Sequence, residues 1–103
     1  MEEKIFLECI FGDSRGEKFE LHKGVNKIGR GYQMDVCISE DIQLTRDNHC
    51  SIVWDAEANI VKLVPSNGAI TYFNNSLLNE IVEITENDVF RVGRNELVLR
   101  RVK

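Results

Sequence analysis

The chain has no surplus of basic residues, no long apolar run and no paired cysteines, and each absence removes a class of function. Lys and Arg number 13 against 17 Asp and Glu, a net charge of −4. No summed positive field gathers a polyanion, so nucleic acid is not an expected partner. No stretch approaches the ~18 apolar residues of a membrane span. The N-terminal MEEKIFLECIFG carries acid where a secretory leader carries positive charge. No membrane partner is expected. Cys9, Cys37 and Cys50 are widely spaced and contain no CxxC, which suits free thiols in a reducing cytosol and makes the cytoplasm the expected compartment. Neither these cysteines nor His22 and His49 show metal-ligand spacing. GxxxxGK and GxGxxG are both missing. Neither a metal nor a cofactor is expected.

What is present is ordinary globular composition, 43% apolar and 29% charged, over 103 residues. That length supports one hydrophobic core but not two, so residues 1–103 are read as a single domain. The dominant period is two. Ile5, Leu7, Cys9 and Phe11 alternate with Lys4, Phe6, Glu8 and Ile10; Cys50, Ile52 and Trp54 with Ser51 and Val53; Leu97 and Leu99 with Val98 and Arg100. Turn-forming clusters separate such runs at short intervals, among them GDSRGE, HKG, DAEAN, PSNG, NNS, TEND and GRN. No helical periodicity persists, and no repeat or low-complexity tract appears. These features predict an all-β sandwich of about ten short strands. The ending LVLRRVK stops just after a strand, as expected of a module joined to something larger.

In a sandwich, binding residues lie on loops positioned by a rigid frame, and three loops hold residues their strands do not explain. In GRGYQMD (29–35), two glycines flank Arg30. The loop is either a turn with a solvated arginine or a device presenting a planar fork of donors to an anion. In the loop SEDIQLTRDNH (39–49), TRDNH (45–49) puts a hydroxyl, a guanidinium, a carboxylate and an amide just before a strand. These groups can order a loop by bonding its backbone, and His49, flush against an apolar strand, is read as a buried, hydrogen-bonded histidine. In PSNGAITYFNN (65–75), Asn67-Gly68 and Asn74-Asn75 favour positive φ and suit hairpin turns, while an asparagine amide can also hold a peptide main chain.

Taken in order, a Gly-Arg after the third strand, a hydroxyl and arginine before a histidine entering a later strand, an Asn-Gly with a further Asn, and a closing ENDVFRVG resemble the forkhead-associated (FHA) domain. The resemblance runs from about Phe6 to Leu99. It implies an FHA-like β-sandwich, raising the expected count to ten to eleven strands, and a non-enzymatic module that binds threonine-phosphorylated proteins or peptides through loops at one end. On matching positions it implies that Gly29 and Arg30 form the Gly-Arg whose arginine meets phosphate. His49 would brace the loops from behind, and Asn67 with Gly68, or else Asn74, would hold the peptide backbone.

Two departures accompany the resemblance. The family has Ser-x-x-His, whereas Arg46 stands three residues before His49 and the hydroxyl of Thr45 one further back. Either Thr45 takes the serine's role after an insertion, or Arg46 replaces it as a phosphate ligand, with Asn48 able to approach the same anion. Asn67 and Asn74 are also further apart than the family's asparagines, and Asn74, delivered by ITYFNN, is the preferred backbone ligand of the two. A charge-assisted hydrogen bond contributes about 1.5–3 kcal/mol net, so Arg30 and its neighbours can supply several of the roughly 8 kcal/mol that micromolar binding requires.

Catalysis is not expected. His49 and Cys50 are neighbours on a strand and point to opposite faces, and Glu40-Asp41 reads as a solvated acidic pair. The rival to phosphopeptide binding is a phosphate-independent interaction module on the same fold, favoured by the missing serine and opposed by Arg30.

Overall fold

Alternating side chains give each strand one face to bury, and two sheets bury those faces against each other. The structure, a computed structural model, describes residues 3–102. It contains eleven strands: β1 (Lys4–Phe11), β2 (Lys18–Glu20), β3 (Gly24–Gly29), β4 (Val36–Cys37), β5 (Cys50–Asp55), β6 (Ile60–Pro65), β7 (Thr71–Phe73), β8 (Ser76–Leu77), β9 (Val82–Ile84), β10 (Val89–Val92) and β11 (Asn95–Val102). One sheet has the order β2-β1-β11-β10-β7-β8 and the other β4-β3-β5-β6-β9. Among the described residues there is no helix, and so none long and apolar enough to cross a membrane.

The core forms where the inward-facing residues meet. Ile5, Leu7, Leu97, Leu99, Phe90 and Val92 come from one sheet and Ile28, Ile52, Val61 and Leu63 from the other, all at most 1% exposed. Phe11 breaks the alternation the sequence predicts. A register shift between Cys9 and Phe11 in the β1–β11 pairing turns the last residue of β1 outward, leaving Phe11 60% exposed.

Turn chemistry follows the sequence at one asparagine pair and departs from it at the other. Asn74 (φ 49°) and Asn75 (φ 70°) form the two-residue loop of the β7–β8 hairpin, matching the left-handed conformation such a turn requires at both positions. Asn67-Gly68 is not a hairpin turn. β6 and β7 belong to different sheets, so this segment crosses between layers, with Gly68 at φ 81°.

The segment after Gly29 closes on itself. β3 and β4 pair in parallel, Ile28 with Val36 and Gly29 with Cys37, so the loop 30–35 returns to its starting point as a compact Ω-like excursion. Its far end is held by Asp35, whose carboxylate accepts the Lys27 amide at 2.9 Å and faces His22 Nε2 at 3.1 Å.

Candidate functional site

Four connections gather at one end of the sandwich: β3–β4 (30–35), β4–β5 (38–49), β6–β7 (66–70) and the β10–β11 turn (93–94). Backbone hydrogen bonds zip the first two together. Arg30 N–H donates to the Thr45 carbonyl (2.9 Å) and Gly31 N–H to the Arg46 carbonyl (2.8 Å), and the Gln33 amide donates to Asp47 (2.8 Å). This close approach explains the glycines around Arg30. Neither has a left-handed φ, but a Cβ on Gly29 or Gly31 would lie 2.9 Å from the Arg46 carbonyl oxygen. They are small so that one loop can lie against the other, and Arg30 is held out between them.

The Arg30 side chain is anchored at its root and free at its tip. Nε donates to the Leu44 carbonyl (3.4 Å), and the two Nη groups form no ion pair among the described residues. Arg46 is exposed and likewise unpaired. Arg30, Gly31, Tyr32, Ser39 and Arg46 surround a concavity of about 120 Å³, several times the roughly 30 Å³ share of a water molecule in the liquid and suited to a small oxyanion. Two arginines and two hydroxyl-bearing residues line it, and no carboxylate does. Sequence reasoning missed Tyr32 and Ser39. Ser39 arrives because the parallel β3–β4 pairing returns the chain beside Gly29, with Ile38 N–H donating to the Gly29 carbonyl (3.0 Å), and spacing along the chain carries no sign of that return.

The remaining candidates fall elsewhere. Thr45 does not line this concavity; it opens onto a neighbouring groove with His49 and Gly68, and its hydroxyl donates to the Asp47 carbonyl. Asn48 is half-buried, its amide oxygen accepting the Ser51 hydroxyl (2.8 Å). Asn74, preferred from sequence as a peptide ligand, has its amide engaged in the fold. Nδ2 donates to Asp88 (2.9 Å) and Oδ1 accepts the Val89 amide (2.9 Å), because the hairpin turn packs against the start of β10. Asn67 is exposed, with no side-chain partner among the described residues, and precedes Gly68, which lines the groove.

His49 is buried behind the loops, 3% exposed. Its Nδ1 faces the Thr45 amide (3.0 Å) and its Nε2 the Ile70 carbonyl (2.8 Å). A backbone N–H can only donate, so Nδ1 must accept and Nε2 carries the proton. The ring thereby ties β4–β5 to β6–β7. Asp41 performs the same service toward β10–β11, and the expectation of a solvated Glu40-Asp41 pair fails for it. Asp41 is 2% exposed because its carboxylate accepts the Gln43 and Arg94 amides and the Asn95 side-chain amide (3.0, 2.7 and 2.8 Å). Gly93 (φ 56°) has no room for a Cβ against that carboxylate.

The family model for the FHA domain matches residues 26–93. The chain belongs to the FHA family. This FHA domain is 33% identical over 89 residues to the FHA domain-containing protein FhaA of Mycobacterium tuberculosis, a match covering 85% of this chain and 16% of FhaA; the chain thus corresponds to a small part of that relative's length. Among solved structures, it is similar to one from a study of phosphothreonine-dependent FHA domain interactions (TM-score 0.79, 28% identity, 94% of this chain and 95% of that one). It is also similar to the FhaA FHA domain in complex with the intracellular domain of Rv3910 (TM-score 0.78, 28% identity, 93% and 99%).

Proposed function

We propose that this FHA domain is a single phosphopeptide-binding module that recognises phosphothreonine on a partner protein through the loop end of its sandwich. The observation that carries the reading is the pair of unneutralised guanidiniums, Arg30 and Arg46, around an anion-sized concavity. In this reading Arg30 is the main phosphate ligand, its fork suited to bidentate contact with phosphate oxygens, and Arg46 and Ser39 assist. Thr45 joins them by exchanging its bond to the Asp47 carbonyl for one to phosphate, and the Asn48 amide N–H groups can approach the same anion. Asn67 holds the peptide main chain, with Gly68 shaping its turn, while Gly29 and His49 keep the loops in place. The likeness to structures from phosphothreonine-dependent FHA interactions supports this choice of ligand.

The domain acts by binding alone. Burial pushes the Cys50 thiol up to about 12, so it is no thiolate nucleophile near neutral pH, and both His49 ring nitrogens are engaged by the backbone. The unpaired thiols of Cys9, Cys37 and Cys50 support a cytoplasmic setting.

The test is a titration of a phosphothreonine peptide library beside its unphosphorylated counterpart. Binding is expected only with phosphate, and Arg30→Ala should weaken it at least about tenfold, or about 1.4 kcal/mol, with the melting temperature unchanged. Equal binding of both libraries would instead establish the phosphate-independent rival.

A further inference from the structure

The outer face of the six-stranded sheet carries a row of side chains that the phosphate site does not use. Cross-strand register aligns Leu77 (β8), Tyr72 (β7), Arg91 (β10), Glu96 (β11) and Phe11 (β1) side by side. In the middle of the row the Arg91 guanidinium lies over the Tyr72 ring, 4.5 Å from its centroid. Stacking restricts the arginine's rotamers and leaves its in-plane donors open. Arg91 is exposed and, although Glu96 stands opposite it, forms no ion pair among the described residues.

The row is continuous with the binding loops. A groove of about 690 Å³ runs from Thr45, His49 and Gly68 to Tyr72, Arg91 and Glu96, and a second of about 400 Å³ shares those last three residues and extends to Asn74 and Asn75. Ile70 and Phe11, 58% and 60% exposed, stand on the wall of the first groove. A segment held at the loops has an open path to a preorganised cation, flanked by apolar surface.

We propose that Arg91 is a specificity residue: it takes the carboxylate of an Asp or Glu in the segment flanking the bound phosphothreonine, while Ile70 and Phe11 cover an aliphatic neighbour of that acid. The occupant follows from charge complementarity and from the groove's position beside the phosphate site, where Thr45 in the groove adjoins Arg46 in the concavity, and the inference rests on the phosphothreonine reading. An exposed pair of this kind alters affinity by about two- to fivefold.

The experiment walks a single Glu, and in parallel series a single Lys or phosphoserine, one position at a time along both sides of the phosphothreonine in an otherwise Ala/Gly peptide, and titrates each peptide against wild type, Arg91→Gln, Arg91→Glu and Tyr72→Leu. One flanking position should bind about two- to fivefold tighter with Glu than with Ala. Arg91→Gln should erase that gain, Arg91→Glu should transfer it to Lys at the same position, and Tyr72→Leu should reduce it. The binding of the all-Ala phosphopeptide should stay within about twofold throughout. A profile that is flat, or unchanged by Arg91→Gln, while Arg30→Ala still abolishes binding, overturns this inference and leaves the phosphothreonine reading standing. Absence of binding to every phosphopeptide by a folded wild type overturns both. A gain with phosphoserine but none with Glu would assign the position to a second phosphate and overturn the carboxylate.

Discussion

At the scale of single residues, the loop end separates side chains that face outward with open valences from those the fold has already used. His49 belongs to the second kind. Replacing it with Ala removes two partly buried hydrogen bonds to backbone groups and leaves the Thr45 amide and Ile70 carbonyl to find other partners. The expected loss is about 3 kcal/mol of stability, read as a lower melting temperature. Phosphopeptide affinity, measured well below that melting point, should fall less than it does in Arg30→Ala. A larger loss of affinity than of stability would make His49 a ligand. The asparagines divide the same way. Asn74→Ala should lower the melting temperature, because the turn ahead of β10 loses its bonds to Asp88 and Val89, with little change in binding. Asn67→Ala should weaken phosphopeptide binding with little change in stability. The opposite pattern in the two variants would return the peptide-holding role to Asn74.

At the scale of elements, the β3–β4 loop is fastened at both ends. Near Arg30 it lies on the β4–β5 loop, and at its far end Asp35 bridges to β3 and His22. The His22 pKa is raised above its ordinary value, first by the Lys23 carbonyl beside Nδ1 and then by Asp35 at Nε2. Asp35 is correspondingly lowered, chiefly by the Lys27 amide. Doubly protonated His22 donates to both neighbours at once, whereas the neutral ring has a single N–H to give. Because the folded pKa lies above the unfolded one, this contribution is fully present below about pH 6.5 and is lost as pH rises through the folded value. The melting temperature of wild type should therefore exceed that of His22→Gln most at about pH 5.5, the difference shrinking by about pH 8.5. A difference that grows toward alkaline pH would exclude the ion pair as its source.

At the scale of the whole molecule, the three thiols report on how tightly the two sheets close. Cys9 and Cys50 are at most 1% exposed, and burial raises both their pKa values. Cys37 on the edge strand β4 is half-buried and donates to the Arg30 carbonyl (3.6 Å). A thiol reagent should label Cys37 readily in the native protein, and Cys9 and Cys50 only at the rate of global opening. Rapid labelling of all three would show that the sheets separate far more easily than this packing implies.

The strands themselves were legible from the chain because a half-buried strand must alternate, and β1, β5 and β11 do so over most of their length. The family was legible too, since Gly29-Arg30, His49 and Asn67-Gly68 are local signatures set in order along it. The concavity was not. Ser39 and Tyr32 join Arg30 and Arg46 only because β4 returns parallel to β3, Asp41 is buried only because the β10–β11 turn closes over it, and the bulge that turns Phe11 outward leaves no local mark. The row from Leu77 to Phe11 requires the register of five strands. Periodicity and turn chemistry depend on neighbours along the chain, so the all-β sandwich and its order of loops could be read from the residues alone. Which polar groups find partners depends on residues far away in the chain, so it took the folded arrangement to engage Asn74, to leave Asn67 and Arg91 without side-chain hydrogen bonds among the described residues, and to bring Arg30 and Arg46 to one concavity.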